Sequence, residues 1–512
     1  MVQTDNRYRA CLILMTVLSC SGFSVGAEVS DGVGESALPE TTAGAAPPLP
    51  VVLDLDQAQR RALADNPSLQ AAQARVKQAR ERVKQTRSLY FPQVQATYSA
   101  THTHLPNAAV DAARNAALQG GLSAVSGQLQ AAGRATDRLA AVANVGYTGL
   151  EVLRTRDRID EAVESYNASI TASFLLFDGF SRKFTHAIAK FGARESEAGQ
   201  QEARRLLLEA VASAYHGVQL ARERIEIARA DEAFNERLLK DAQARRRQGA
   251  GSLSDVLNFE VRLRAARAAL LAAQRDYEIA RVSLATLMGI PDAQLPEDTA
   301  VARLASEAPE DMALPVAEAM IQDAMTCRPD LVLSRYSTKR TQATIGQRRS
   351  AYYPQVAVFA SRDASRSEDS HFDGDDVAST VGLSVSLDLF TGGRNRAAVA
   401  EAKYAHQEAL HQLEDTELAA VSEVRQALAD LHTAQEQLIL QRTTAEYVEK
   451  NRDLVEKEYK AGQGALTRLN QAQRDLTEAQ AQLALARVSL RQAWHTLRTV
   501  TGATLDAFAE EE

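Results

Sequence analysis

The sequence predicts a mainly α-helical chain that also carries transmembrane β-strands. Three chains together would close a roughly 12-stranded β-barrel, four strands from each protomer, and would add a long α-helical barrel to it. Three observations predict this. The chain repeats itself, it holds four segments of strand-like alternation, and it holds two very long helical stretches without proline.

The repeat comes first because a duplication of this length dictates architecture. Tyr90-Phe91-Pro92-Gln93-Val94 returns as Tyr352-Tyr353-Pro354-Gln355-Val356. Leu176-Phe177-Asp178-Gly179 returns as Leu389-Phe390-Thr391-Gly392. Gly249-Ala250-Gly251-Ser252-Leu253-Ser254 returns as Gly462-Gln463-Gly464-Ala465-Leu466-Thr467. From Gly179–Gly289 to Gly392–Gly502 the offset is a constant 213 residues. The first repeat covers about 51–300 and the second about 301–505, followed by a tail at 506–512.

Residues 1–27 read as a secretory signal: Arg7 and Arg9 precede an apolar run from Ala10 to Val17, and Val25-Gly26-Ala27 offers a small-residue cleavage site. A competing reading takes Val17-Leu18-Ser19-Cys20 as a lipoprotein box with Cys20 acylated. Residues 28–50 form an Ala-, Gly- and Pro-rich lead. The formal charge of −8 becomes −9 once a net +1 signal is removed, which disfavours a nucleic-acid partner. After cleavage at Ala27, Cys327 is the remaining cysteine, so no disulfide framework is expected and a packed thiol is. No segment past the signal holds the 18 or so consecutive apolar residues of a transmembrane helix.

Leu53–Leu89 follows a helical pattern broken at Asn66-Pro67, and Leu314–Ala351 echoes it with a break at Arg328-Pro329. Strands are expected at about 92–100 and 168–177 in the first repeat, and at 354–361 and 380–390 in the second. Val94, Ala96, Tyr98 and Ala100 share one face against Gln93, Gln95, Thr97 and Ser99. Ile170, Ala172, Phe174 and Leu176 form the apolar face of the next strand, and Val381, Leu383, Val385, Leu387 and Leu389 that of the last. Val356, Val358 and Ala360 give the weakest pattern. Period-2 alternation of this length suits a strand with one lipid face and one wet face. Tyr90, Phe91, Phe177, Tyr352, Tyr353 and Phe390 flank these strands, where an aromatic girdle would sit.

The long helices are expected at 180–248 and 394–461, each long enough to span roughly 100 Å. Leu207, Val211, Ala214, Val218, Ala221, Ile225 and Ala228 keep a heptad rhythm, and Ala420, Val424, Ala427, Leu431, Ala434 and Leu438 keep the same register. Such seams pack helix against helix, and their alanines bring backbones close. Each long helix ends at a glycine turn and returns as a shorter one, 252–288 and 465–500. The glycines would supply the positive φ of a helix C-cap, and Ser252 with Asp255 could cap the return. One part breaks the symmetry: a surface insert at 101–167, with helical stretches such as Asp137–Ala143 and Val152–Glu164.

Four strands cannot close a barrel, and open strand edges do not survive in lipid. The chain must therefore oligomerise through its strands, and three copies form a tube, which is a conduit.

Here the residues match a known pattern. The chain resembles the TolC-like outer-membrane efflux proteins over about Leu53 to Leu505. The carrying motifs are Leu53-Asp54-Leu55-Asp56-Gln57-Ala58 running to Asn66-Pro67-Ser68-Leu69, the Tyr-Phe-Pro-Gln-Val segment, Leu176-Phe177-Asp178-Gly179, and Gly251-Ser252-Leu253-Ser254-Asp255-Val256-Leu257. The resemblance implies a homotrimer in the outer membrane, the exit duct of a tripartite efflux or type I secretion system. It implies a periplasmic adaptor and an inner-membrane pump as partners, outer-membrane lipid around the barrel, and no cofactor or catalytic site. It places the two turns at a periplasmic tip where an adaptor docks: Gly249, Gly251 and Leu253 in one copy, and Gly462, Gly464 and Leu466 in the other. Asp255 stands where an acidic residue is common, whereas Arg468 stands where another acid would be typical. The expectation is that Asp255 and Arg468 pair across neighbouring helices as a gate; the plain alternative is two solvated turn residues.

Arg245-Arg246-Arg247 is read as capping a helix C-terminus. His102-x-His104 lacks further metal ligands nearby and reads as surface histidines, and Glu510-Glu511-Glu512 reads as a frayed tail. No nucleotide loop or nucleophile triad is present, which argues against an enzyme. The alternatives are a periplasmic adaptor, which displays a single helical hairpin, and a coiled-coil scaffold.

Overall fold

The computed structural model describes residues 50–104, 106–131, 162–249, 251–305, 307–367, 372–506 and 508. The expected signal, the lead before residue 50, Cys20, Asp137–Ala143 and Glu510–Glu512 lie outside them. The described chain forms two bodies, one of strands and one of helices.

The strand body holds β2 (Gln93–His104), β3 (Ala162–Asp178), β5 (Gln355–Ser367) and β6 (Val377–Ser386), all antiparallel in the order β2-β3-β5-β6. Val94 pairs with Ala172, Ala172 with Ala360, and Ala360 with Val381, so the apolar residues of all four strands line up on one face. Val94, Tyr98, Ile170, Val381, Leu383 and Val385 on that face are exposed. The other face carries Gln95, Thr97, Thr171, Ser173 and Ser384. There the ring of Phe359 covers Gly382, where an added Cβ would come within 2.5 Å of it.

The strands differ from expectation at their ends. The first hairpin runs further, because His102 and Glu164, and His104 and Ala162, continue the ladder past the apolar stretch. The described end of the expected helix Val152–Glu164 is therefore strand. Inside the insert, α3 (Asn107–Ala131) is helical. A bulge at Leu176 breaks the alternation of β3, so Phe177, not Leu176, faces Val356. β6 stops at Ser386, the partner of Gln355, because β5 offers no residue beyond it. Leu389 and Phe390 are left about 90% exposed, at 90% and 91%.

The helical body contains α1 (Leu55–Asp65), α2 (Pro67–Ser88), α4 (Ser181–Arg247), α5 (Leu253–Leu287), α6 (Ala317–Cys327), α7 (Pro329–Arg349), α8 (Arg394–Lys460) and α9 (Leu466–Thr501). Both long helices have 67 residues. Asp54 caps α1 by accepting from the Gln57 amide at 2.7 Å, while Gln57 Oε1 accepts from Asp54 N, so the Leu-Asp-Leu-Asp-Gln motif is a capping box.

Two equivalent cores follow the repeat. One joins Ala62, Val211, Val218 and Leu284; the other joins Ala324, Val424, Leu431 and Leu497. Most heptad residues are buried: Leu207, Val211, Val218, Ala221 and Ile225 in the first copy, where Ala214 and Ala228 are only partly so, and all six named in the second. A feature that periodicity did not reveal is the short parallel pair of β1 (Val52–Leu53) and β4 (Ala300–Val301). Strands this short show no alternation, and side chains of α4 hold them: Tyr215 Oη donates to Leu53 O at 3.1 Å and Gln219 Nε2 to Ala302 O at 2.9 Å. Cys327 is exposed rather than packed, because it ends α6 where the chain turns at Arg328.

Candidate functional site

The two turns that close the helical hairpins are near copies. Gly249 and Gly462 both have φ of 77° and donate to the carbonyls of Arg246 and Tyr459 at 3.0 Å. Only glycine adopts this left-handed conformation without cost. Gly251 and Gly464 are glycines for a different reason. Neither has positive φ, but a Cβ would fall 2.8 Å from Arg246 N and 2.9 Å from Tyr459 N. Ser252 caps α5 by accepting from Ser254 N at 3.1 Å, without Asp255; Ala465 occupies the matching place and supplies no cap.

Beneath the turns the two repeats share one core. Phe234, Leu238 and Ala242 of α4 and Val256 and Phe259 of α5 pack with Val455 of α8 and Leu469 and Ala472 of α9. Polar contacts cross it: Asn470 Nδ2 donates to Asn258 Oδ1 at 3.1 Å, and Gln473 Nε2 to Asp231 Oδ1 at 2.8 Å. Arg245 spans the two long helices. Its Nη2 donates to Lys460 O at 3.1 Å and its guanidinium lies 5.4 Å from the Tyr459 ring. The arginine read as a cap thus caps the other repeat's helix. Arg452 stacks on Phe234 at 5.3 Å in the opposite direction. Sequence alone missed Tyr459 and Phe234; an aromatic on a mostly polar helix end was the available signal.

The expected Asp255–Arg468 pair is not formed within the chain. Arg468 Nη1 donates to Glu458 Oε2 at 2.9 Å, an acid on the preceding helix of its own hairpin. Asp255 lies instead near Tyr459. Burial raises the Tyr459 phenol above its ordinary pKa, Asp255 adds to this, and Arg245 opposes it. Leu253 is half exposed at its turn. On the strand body, Tyr90, Phe91, Tyr352, Tyr353 and Phe390 are exposed, whereas Phe177 packs edge-on against Phe180 at 5.6 Å. Among the described residues no cluster of three or more His, Cys, Asp or Glu is placed to hold a metal ion. No described helix is long and apolar enough to cross a membrane.

An open four-stranded sheet with an exposed apolar face, together with paired 67-residue helices, defines an outer-membrane channel-tunnel. The comparison with known proteins agrees. The family model described as outer membrane efflux protein matches residues 58–290 and 320–503, and the chain belongs to that family. It is 25% identical over 399 residues to the alkaline protease secretion protein AprF of Pseudomonas aeruginosa, covering 75% of this chain and 80% of that one. It is 24% identical over 441 residues to the pyoverdine export outer membrane protein OpmQ of the same organism, covering 85% and 82%. The crystal structure of the outer membrane protein VceC from Vibrio cholerae superposes with a TM-score of 0.66 at 18% identity, covering 88% of this chain and 96% of that one. The protein is an outer-membrane channel of the efflux and secretion type.

Proposed function

We propose that three copies close one barrel and form a passive exit duct, opened at the glycine turns by a periplasmic adaptor and fed by an inner-membrane pump. The observation that carries this is the sheet. Its edges, β2 and β6, have no partner strand among the described residues, and one face is exposed and apolar. Lipid permits neither an open edge nor a lone four-stranded sheet, and joining edges between copies satisfies both demands. Tyr90, Phe91, Phe177, Tyr352, Tyr353 and Phe390 would form the girdle at one interface. Gly249, Gly251 and Leu253, with Gly462, Gly464 and Leu466, would form the docking tip. The duct does no covalent chemistry. One relative is named for protease secretion and another for pyoverdine export, so the same duct architecture serves unlike cargoes and does not by itself name this one's.

Asp255 and Arg468 remain a gate only between copies, since Arg468 is held by Glu458 within its own. Fractionation with detergent extraction tests the main reading. The expected result is a trimer from the outer membrane that conducts ions in planar bilayers. A soluble monomer in the periplasmic fraction would support the scaffold or adaptor instead.

A further inference from the structure

We propose that Arg362, with the tyrosines in the rows outward of it, binds the phosphate-bearing headgroup of an outer-leaflet lipid. This rests on the reading that the apolar sheet face meets lipid. Arg362 belongs to that face. It follows Val356, Val358 and Ala360 at even spacing on β5, and it stands directly opposite Ile170 of β3 and Ser379 of β6. A cation in such a row is costly unless its charge reaches water or an anion.

Its position decides which anion. β5 lies between β3 and β6, so joining chains at β2 and β6 leaves Arg362 uncovered. Arg362 is seven residues beyond Gln355 in the same strand. At ~3.3 Å per residue and a tilt of ~40°, that is roughly 18 Å across an apolar band about 25 Å tall. The girdle aromatics lie at the Gln355 end, next in sequence to the helices read above as periplasmic, so Arg362 sits near the opposite, outer boundary, within reach of a snorkelling side chain. The next rows outward carry Tyr98 with Ala364, then Tyr166 with Arg366. Tyrosine rings favour such an interface and can donate to a phosphate.

The neighbouring arginine supplies the contrast. Arg366 shares the face but donates to Asp373 and Asp376 at 3.1 and 3.3 Å. Arg362 is exposed and has no ion pair among the described residues. A guanidinium fork matches two phosphate oxygens, which an ammonium does not.

Lipopolysaccharide, whose lipid anchor carries phosphates, is the probe. The detergent-extracted full-length protein is titrated with it, and in parallel with the dephosphorylated form, following bound lipid by native mass spectrometry. Arg362→Ala should weaken lipopolysaccharide binding about tenfold, Arg362→Lys should restore part of it, and wild type should bind the dephosphorylated form as weakly as Arg362→Ala binds the intact one. Wild-type affinity in Arg362→Ala overturns the proposal. So does an equal loss in Arg366→Ala, which would mean diffuse attraction. Complete displacement by millimolar inorganic phosphate would assign the site to free phosphate and overturn the lipid assignment. Should Arg362→Ala not assemble, Arg362→Gln carries the same comparison. Absence of wild type from the outer membrane would fail the channel reading itself, a different outcome from unchanged binding in a correctly inserted variant.

Discussion

Arg328 stands in the second repeat where Asn66 stands in the first, and each closes the end of a return helix. Asn66 Nδ2 donates to Leu287 O at 2.8 Å; Arg328 Nη1 donates to Val500 O at 3.2 Å. The two acceptors are 213 residues apart, as the repeat requires. The chemistry has diverged around a conserved task. Asn66 also accepts from Ser68 N at 2.9 Å and so starts α2, whereas Arg328 is buried and gathers Asp330 at 2.7 Å and Glu423. Burial works against the Arg328 charge, but hydrogen bonds to Asp330 and Glu423 outweigh it and raise its pKa.

Asn66→Ala should therefore cost about 1–2 kcal/mol, because the part-buried Leu287 carbonyl loses its partner and α2 its cap. Arg328→Met should cost more, about 3 kcal/mol, because it strands two carboxylates. Glu423 is 45% exposed and can rehydrate, which holds the loss to the low end of the buried-pair range. Thermal unfolding of the extracted protein ranks the two; a milder Arg328 variant would mean that the repeat position, not the charge, carries the stability.

Two glycines with nearly equal φ should respond differently to alanine. Gly249 has φ of 77° and open space around its would-be Cβ; Gly289 has φ of 73°, but a Cβ would lie 2.6 Å from Asp65 O. Gly249→Ala should cost about 1 kcal/mol from backbone strain alone. Gly289→Ala should cost at least about 2 kcal/mol more, as it pushes α5 off the α1–α2 break. Equal losses in denaturant midpoint would refute the packing explanation.

The helices and the face alternation of the strands were legible because their signals are periodic and repeated. Leu207–Ile225 and Ala420–Leu438 announced their seams through spacing alone. What was illegible depends on partners distant in sequence. β6 ends at Ser386 because β5 begins at Gln355, a fact of register rather than of residues 387–390. Leu176 looked like the natural member of its apolar row, yet the bulge hands that place to Phe177. At the turns, the glycines were visible, but the division between positive φ and close approach was not. Arg468 found Glu458 ten residues back rather than Asp255 because the hairpin folds it onto its own helix.

Arg245 offers a test of how the two turns are tied. Arg245→Ala removes the cap on Lys460 O and the stack on Tyr459, worth about 1–2 kcal/mol together. Resting conductance in planar bilayers should rise as the two long-helix ends separate more easily. Arg468→Ala breaks only a solvated pair, with side chains 62% and 42% exposed, and should change stability by less than about 1 kcal/mol. Identical resting conductance for wild type and Arg245→Ala would remove Arg245 from the closing contacts.

His216 and His495 make the helical body acid-sensitive. They lie on α4 and α9, their rings 5.5 Å apart. His216 Nδ1 contacts Gln219 Oε1 at 2.8 Å, whereas His216 Nε2 and His495 Nδ1 are buried without a hydrogen-bond partner among the described residues. The Gln219 amide beside His216 is neutral, and the charges acting on the two rings, Arg491 and Arg498, are positive. Burial first, then His216, Arg498 and Arg491, bring the His495 pKa down to about 4; burial lowers His216 as well. The unfolded chain takes up its proton near pH 6.5, the folded one only near 4. Stability is thus fully present above pH 6.5 and is lost as pH falls toward 4, by up to about 3 kcal/mol. His495→Gln, neutral throughout, should flatten the fall of Tm between pH 6.5 and 4, leaving the smaller slope due to His216. An unchanged slope in that variant would show that carboxylates, not this pair, govern the acid response.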